Sequence, residues 1–154
     1  MSTATTTESI WFIDSLARVL LDGEASGGAV AIVEIAARRG DMPPLHVHRR
    51  EDEVFQMLEG RLSLHLPDGS LEIGPGQAAF APRGVPHVYR VESETARWLA
   101  IATPAGFDAF VREVGEPAPD DVLPPEGRAH DPARMAEISE RYGIELLGPP
   151  GTMP

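Results

Sequence analysis

Two short motifs constrain this chain more than anything else in it. The first runs from Gly40 to Gly60, GDMPPLHVHRREDEVFQMLEG, and carries His46, His48 and Glu53. The second runs from Gly76 to His87, GQAAFAPRGVPH, and ends on another imidazole. Side chains two apart on a β-strand point to the same face, so His46 and His48 can aim at one spot. A turn at Arg49–Asp52 would bring Glu53 to the same cavity, with Phe55 and Met57 following it at period two. Pro82, Gly84 and Pro86 bend the chain so that His87 can enter from a different strand. The four side chains together offer three imidazoles and one carboxylate, a donor set for a single transition metal on the inner wall of a small barrel.

The pattern around the motifs is that of an all-β domain. Strand-like segments fall at Ile10–Ile13, Ala17–Leu21 and Ala29–Ala37, punctuated by Asp22-Gly23 and Gly27-Gly28. From Leu45 to Thr103 strands and turns alternate at short spacing, which favours a sandwich or barrel. Leu62, Leu64 and Leu66 alternate with Arg61, Ser63 and His65, a half-buried strand, and Arg97–Thr103 reads as the last long one. After Pro104 the character changes. Phe107–Val114 reads as a short amphipathic helix. Residues 115–127 are rich in Pro and acids, and Asp131-Pro132 marks the start of a second helix that Gly143 ends. The closing GIELLGPPGTMP is expected to be a tail. The division is therefore a disordered N-terminus over 1–9, a barrel over 10–104 and a helical extension and tail over 105–154.

Composition excludes several partners. The chain of 154 residues is long enough for one core. It has no cysteine, so disulfides and thiolate metal sites are out of reach. Its 24 acidic side chains outnumber 13 basic ones, all of them Arg, which argues against nucleic acid or an anionic membrane surface as a partner. No apolar run approaches the roughly 20 residues of a membrane helix. The opening MSTATTTES lacks the basic and apolar regions of a secretory signal, so a cytoplasmic protein is expected.

The motif pair resembles that of the cupin superfamily. Its first motif, G-x5-H-x-H-x3,4-E-x6-G, is met by Gly40, His46, His48, Glu53 and Gly60. Its second, G-x5-P-x-G-x2-H-x3-N, is met by Gly76, Pro82, Gly84 and His87, with Val91 in place of the final Asn. That position is not a metal ligand in the family. The pair occurs once, so a single cupin domain is implied. The segment Thr103–Gly106, TPAG, and the C-terminal third beyond it are similar to the extension of small quercetin-dioxygenase-like cupins.

The resemblance implies a double-stranded β-helix, or jelly roll, with a short helical extension. It implies one divalent transition metal per chain (Fe, Ni, Mn, Cu, Co or Zn) held by His46, His48, Glu53 and His87. A homodimer is also implied, with Ile10–Ile13 as a swapped or edge-covering strand. The implied function is a quercetinase-like dioxygenase acting on a small aromatic or flavonol-type substrate. Glu53 would then serve both as ligand and as general base, and Phe55, Met57 and Phe80 as an apolar seat for the ring. A metal-dependent isomerase or cyclase, or a noncatalytic binding barrel, are the alternatives. Glu51 and Asp52 are expected to be solvated turn residues, Arg49, Arg50 and Arg83 to be loop charges, and His65 and His130 to have no role.

Overall fold

The computed structural model describes residues 7–154. The first strands are β1 (Ser9–Phe12), β2 (Ser15–Leu21), β3 (Ala31–Arg38), β4 (Pro44–His48) and β5 (Asp52–Glu59). They are followed by β6 (Leu62–Leu66), β7 (Gly69–Ile73), β8 (Ala78–Ala81), β9 (Val88–Val91) and β10 (Thr95–Thr103). Helix α1 (Phe107–Val114), the two-residue β11 (Glu116–Pro117), α2 (Pro132–Arg141) and β12 (Ile144–Pro150) complete the chain. The disorder expected over 1–9 concerns residues that, for 1–6, lie outside the described ones; Ser9 already belongs to β1.

The strands build two antiparallel layers. The larger sheet runs β11-β1-β2-β3-β10-β5-β8. The other layer consists of β12-β4 and β7-β6-β9, joined where His46 bridges His87. Ile35, Phe55 and Trp98 from the first share one core with Leu62, Leu64, Ile73 and Val91 from the second. Strand alternation creates that core. In β3 Ala31, Val33, Ile35 and Ala37 are buried, and in β10 Ala96, Trp98, Ala100 and Ala102. In β5 the inward row is Glu53, Phe55 and Met57, so the apolar period carries a carboxylate into the barrel. The fold is mostly β, as expected, and of the double-stranded β-helix type.

Gly60, which ends the first motif, turns β5 toward β6 at φ 75°. A Cβ there would lie 2.3 Å from Thr95 O and 2.8 Å from Ala96 Cα, so only glycine fits. Strand β1 pairs with β2 and with β11 of the same chain.

The two helices form as the sequence suggests. Phe107, Phe110 and Val111 bury one side of α1, and Asp108 fixes its start by accepting from Gly106 N and Gly23 N at 2.9 and 2.8 Å. Asp131 caps α2 by accepting from Ala133 N and Arg134 N, with Pro132 at the first helical position. The closing segment departs from expectation. Instead of a tail, Ile144–Pro150 forms β12 along β4, placing Ile144 opposite His48 and Leu146 opposite His46. Its Gly and Pro residues hide the strand in the sequence, and an edge position tolerates them.

Candidate metal centre

Two strands and one bend deliver the candidate centre. Strand β4 supplies His46 and His48, β5 supplies Glu53, and the bend before β9 supplies His87. One ligand atom from each of these four side chains lies within 4.8 Å of the others. The ring centroids of His46 and His87 are 4.5 Å apart, those of His46 and His48 5.0 Å, and those of His48 and His87 5.4 Å. Glu53 Oε2 sits 3.3 Å from His48 Nε2 and 3.2 Å from His87 Nε2.

The outer ring nitrogens explain this orientation. His46 Nδ1–H donates to Pro44 O at 2.7 Å, His48 Nδ1–H to Glu51 Oε1 at 2.7 Å, and His87 Nδ1–H to Val85 O at 3.4 Å. With Nδ1 turned to an outer acceptor in each ring, Nε2 is the nitrogen that faces the interior, and in the neutral ring it offers its lone pair there. Three imidazole nitrogens and one carboxylate oxygen thus converge, a donor set that fits a divalent transition metal and leaves positions open in a six-coordinate sphere.

Burial and the neighbouring charges set the protonation of these groups. Burial drives His46 down to about 3, and His87 and His48 push the same way, so this ring is neutral. Burial also opposes a charge on His48, but the hydrogen bonds and charges of Glu51 and Glu53 outweigh it and lift His48 to about 9. On Glu53 burial is likewise outweighed, here by His48 and His87, and the carboxyl is held well below the usual range.

Glu51 is the residue that the sequence reading missed. Expected as a solvated turn residue, it is buried at 3 % exposure. It stands three residues beyond His48, and its run of charged neighbours, Arg49 to Glu53, concealed it. Asp52 does lie at the surface, 3.2 Å from Arg83. The three motif arginines are all engaged: Arg49 with Glu145, Arg50 with Arg141 O at 3.0 Å and Arg83 with Asp52. His65 and His130 stand apart, held to Ser63 and Asp14.

A cavity adjoins the ligands. Its aromatic wall comprises Phe12, Phe55, Tyr89, Trp98, Phe107 and Phe110. The C-terminal segment closes it through Met135, Ser139, Ile144 and Leu146. Of the three side chains expected to seat a ring, Phe55 lines this cavity, while Met57 is buried in the core away from its wall. Phe80 is a correction. It pairs with Val54 on β5, whereas Ala79 and Ala81 face Phe55 and Glu53. Period two therefore turns Phe80 outward, 54 % exposed. Tyr89, Trp98 and the α1 phenylalanines replace it; Tyr89 falls among the unspecified positions between His87 and Val91, and the others lie outside both motifs.

Residues 32–102 match the family described as a cupin domain. The chain belongs to the cupin superfamily. Among curated relatives, quercetin 2,3-dioxygenase of Bacillus subtilis is 24 % identical over 136 residues, 88 % of this cupin and 40 % of that protein. The chain therefore spans less than half the length of that relative. Among solved structures, the polyketide cyclase RemF from Streptomyces resistomycificus aligns with 30 % identity and a TM-score of 0.51, covering 66 % of this chain and 73 % of that one. A protein described as a predicted oxalate decarboxylase from Thermotoga maritima shares the fold at 22 % identity and a TM-score of 0.57, over 64 % and 92 % of the two chains. No helix among the described residues is long and apolar enough to cross a membrane.

Proposed function

We propose that this cupin is a metal-dependent enzyme acting on a small aromatic molecule that bears oxygen, with a quercetinase-like dioxygenase reaction as the first reading. The observation that supports it is the junction of three imidazoles and one carboxylate with an aromatic-walled cavity. The similarity to quercetin 2,3-dioxygenase along 88 % of the chain supports it further.

A divalent metal held by His46, His48, Glu53 and His87 would supply Lewis acidity toward a substrate oxygen. The chain's own groups do the rest. Phe55, Phe107 and Phe110 seat the ring and exclude water. Glu51 fixes the orientation of the His48 ring through its Nδ1–H. The Glu53 carboxylate stands where a substrate hydroxyl can pass it a proton. Its pairing with the His48 imidazolium makes it a weak base, so this role requires His48 in its neutral form.

The cavity measures about 70 Å³, well under the roughly 300–1,000 Å³ of a typical small-molecule pocket. Ring binding therefore calls for Met135, Ile144 or Leu146 to move outward. A second reading, a cyclase or isomerase using the same donor set without oxygen, is favoured by the likeness to RemF. Oxygen-electrode assays with quercetin and simpler phenols, repeated under argon, separate the two. Substrate-dependent oxygen uptake supports the dioxygenase, and product formed only from a cyclisable substrate under argon supports the cyclase. Metal-replete protein that does neither overturns both.

A further inference from the structure

Buried polar atoms are normally hydrogen-bonded, so the exceptions carry information. Among the described residues two buried side-chain polar atoms have no hydrogen-bond partner, Trp98 Nε1 and Ser139 Oγ. They belong to distant parts of the chain, β10 and α2, yet both residues line the same cavity. Trp98 is fully buried and Ser139 is 1 % exposed. On α2, Ser139 shares its face with Met135, one turn earlier, which also lines the cavity.

Trp98 is set back from the metal ligands by two rings. Between ring centroids, Phe55 lies 6.0 Å from His87, Tyr89 6.0 Å from Phe55, and Trp98 5.0 Å from Tyr89. The Tyr89 hydroxyl is already engaged as donor to Asp41 at 3.2 Å. An unmade hydrogen bond at a buried site is a standing cost, and a ligand that completes it recovers that cost on binding.

We propose that Trp98 Nε1–H and Ser139 Oγ are recognition groups for the oxygen substituents of an aromatic ligand. The proposal rests on the reading of this cavity as a substrate site and narrows the substrate class. An indole N–H donates only, so the ligand atom facing Trp98 is an acceptor: a carbonyl, ether or phenolic oxygen. A hydroxyl such as that of Ser139 pairs with either a phenol or a carbonyl. A bare hydrocarbon ring would leave both groups unpaired, and the site selects against it. The substrate class is thus a planar aromatic oxygenated at two or more positions.

The test is calorimetric titration under argon of the metal-containing protein with quercetin and with 2-phenylnaphthalene, a hydrocarbon of the same ring skeleton that carries no oxygen. Wild type is compared with Ser139→Ala and Trp98→Phe, with metal content and thermal midpoint measured alongside. Wild type should bind quercetin at least about tenfold more tightly than the hydrocarbon, the scale of one hydrogen bond. Ser139→Ala should lose about tenfold for quercetin and almost nothing for the hydrocarbon, with metal content intact. Its thermal midpoint should hold or rise, because the change removes an unpaired hydroxyl and places alanine in a helix. Trp98→Phe keeps a ring and removes the N–H, and should show the same selective loss. Equal binding of quercetin by all three proteins, or parallel loss of both probes in the variants, overturns the subsite while leaving the aromatic reading in place. Failure of wild type to bind either probe overturns both.

Discussion

Replacing Asp41 by Asn should stabilise this protein at neutral pH, and the gain should vanish in acid. Asp41 lies at the cavity wall, half-buried, and accepts a hydrogen bond from the Tyr89 hydroxyl. Burial raises its carboxyl from 3.8 to about 6, against the lowering contacts of Tyr89 and Met42 and with the help of the nearby Asp14 charge. A folded-state value above the unfolded one means that the folded protein holds this proton more tightly. The corresponding stability is present below pH 3.8 and is lost as pH rises through about 6. At about 1.4 kcal/mol per pH unit the displacement amounts to about 3 kcal/mol, and partial exposure and screening reduce it to about 1–2 kcal/mol. Asn mimics the protonated acid at every pH and retains an acceptor for Tyr89. Urea unfolding of both proteins from pH 4 to 7.5 measures the effect. Their difference in stability should widen in favour of Asp41→Asn, by about 0.5–1 M in midpoint for an m-value near 2 kcal/mol/M. Comparing differences cancels the slopes of the other carboxylates. A difference that stays flat, or one that turns against the variant as pH rises, refutes the reasoning.

The remaining expectations concern the candidate centre and its support. His48→Ala should abolish metal retention in elemental analysis, while His65→Ala, outside the centre, should leave it unchanged. Glu51→Gln should weaken metal binding by about 10- to 100-fold in chelator competition without unfolding the chain, since it loosens the His48 ring and not the donor set; an unaltered affinity would deny Glu51 its orienting role. Because a proton on His48 is held up to about pH 9, metal uptake at pH 7.5 should release about one proton, and affinity should fall as pH falls. The same raised value means that, without metal, the stability His48 contributes is complete below pH 6.5 and is lost as pH climbs through about 9. Deleting residues 144–154 removes the partner of β4 and should lower metal content and thermal midpoint together; loss of ligand binding alone would instead make β12 a simple lid.

The barrel and the four candidate ligands were legible because they depend on local rules. Period two carries His46 with His48 and Glu53 with Phe55, and Gly60 stands where no other residue fits. The cavity wall was not legible, for reasons of phase and distance. Phe80 fits an apolar motif but falls on the outward beat of β8. Trp98 and Tyr89 reach the cavity through strand pairing, and Phe107, Phe110 and Met135 through helices laid over the barrel end. No spacing rule within the motifs reports such long-range contacts. Glu51 was hidden differently: a buried acid and a solvated acid look alike in a charged turn until the imidazole beside it is placed.

These two kinds of residue divide the labour of the molecule. The donor set is fixed by short-range geometry on β4, β5 and the bend before β9. The walls that would choose a ligand come from elsewhere, above all from α1, α2 and β12. Because β12 pairs directly with the strand bearing His46 and His48, the segment that closes the cavity also braces the candidate ligands. An outward shift of Met135 or Leu146 can enlarge the cavity while the β4–β12 hydrogen bonds hold. Sequence change in the extension can therefore alter what enters the cavity without altering what converges on its floor, provided that the strand pairing survives.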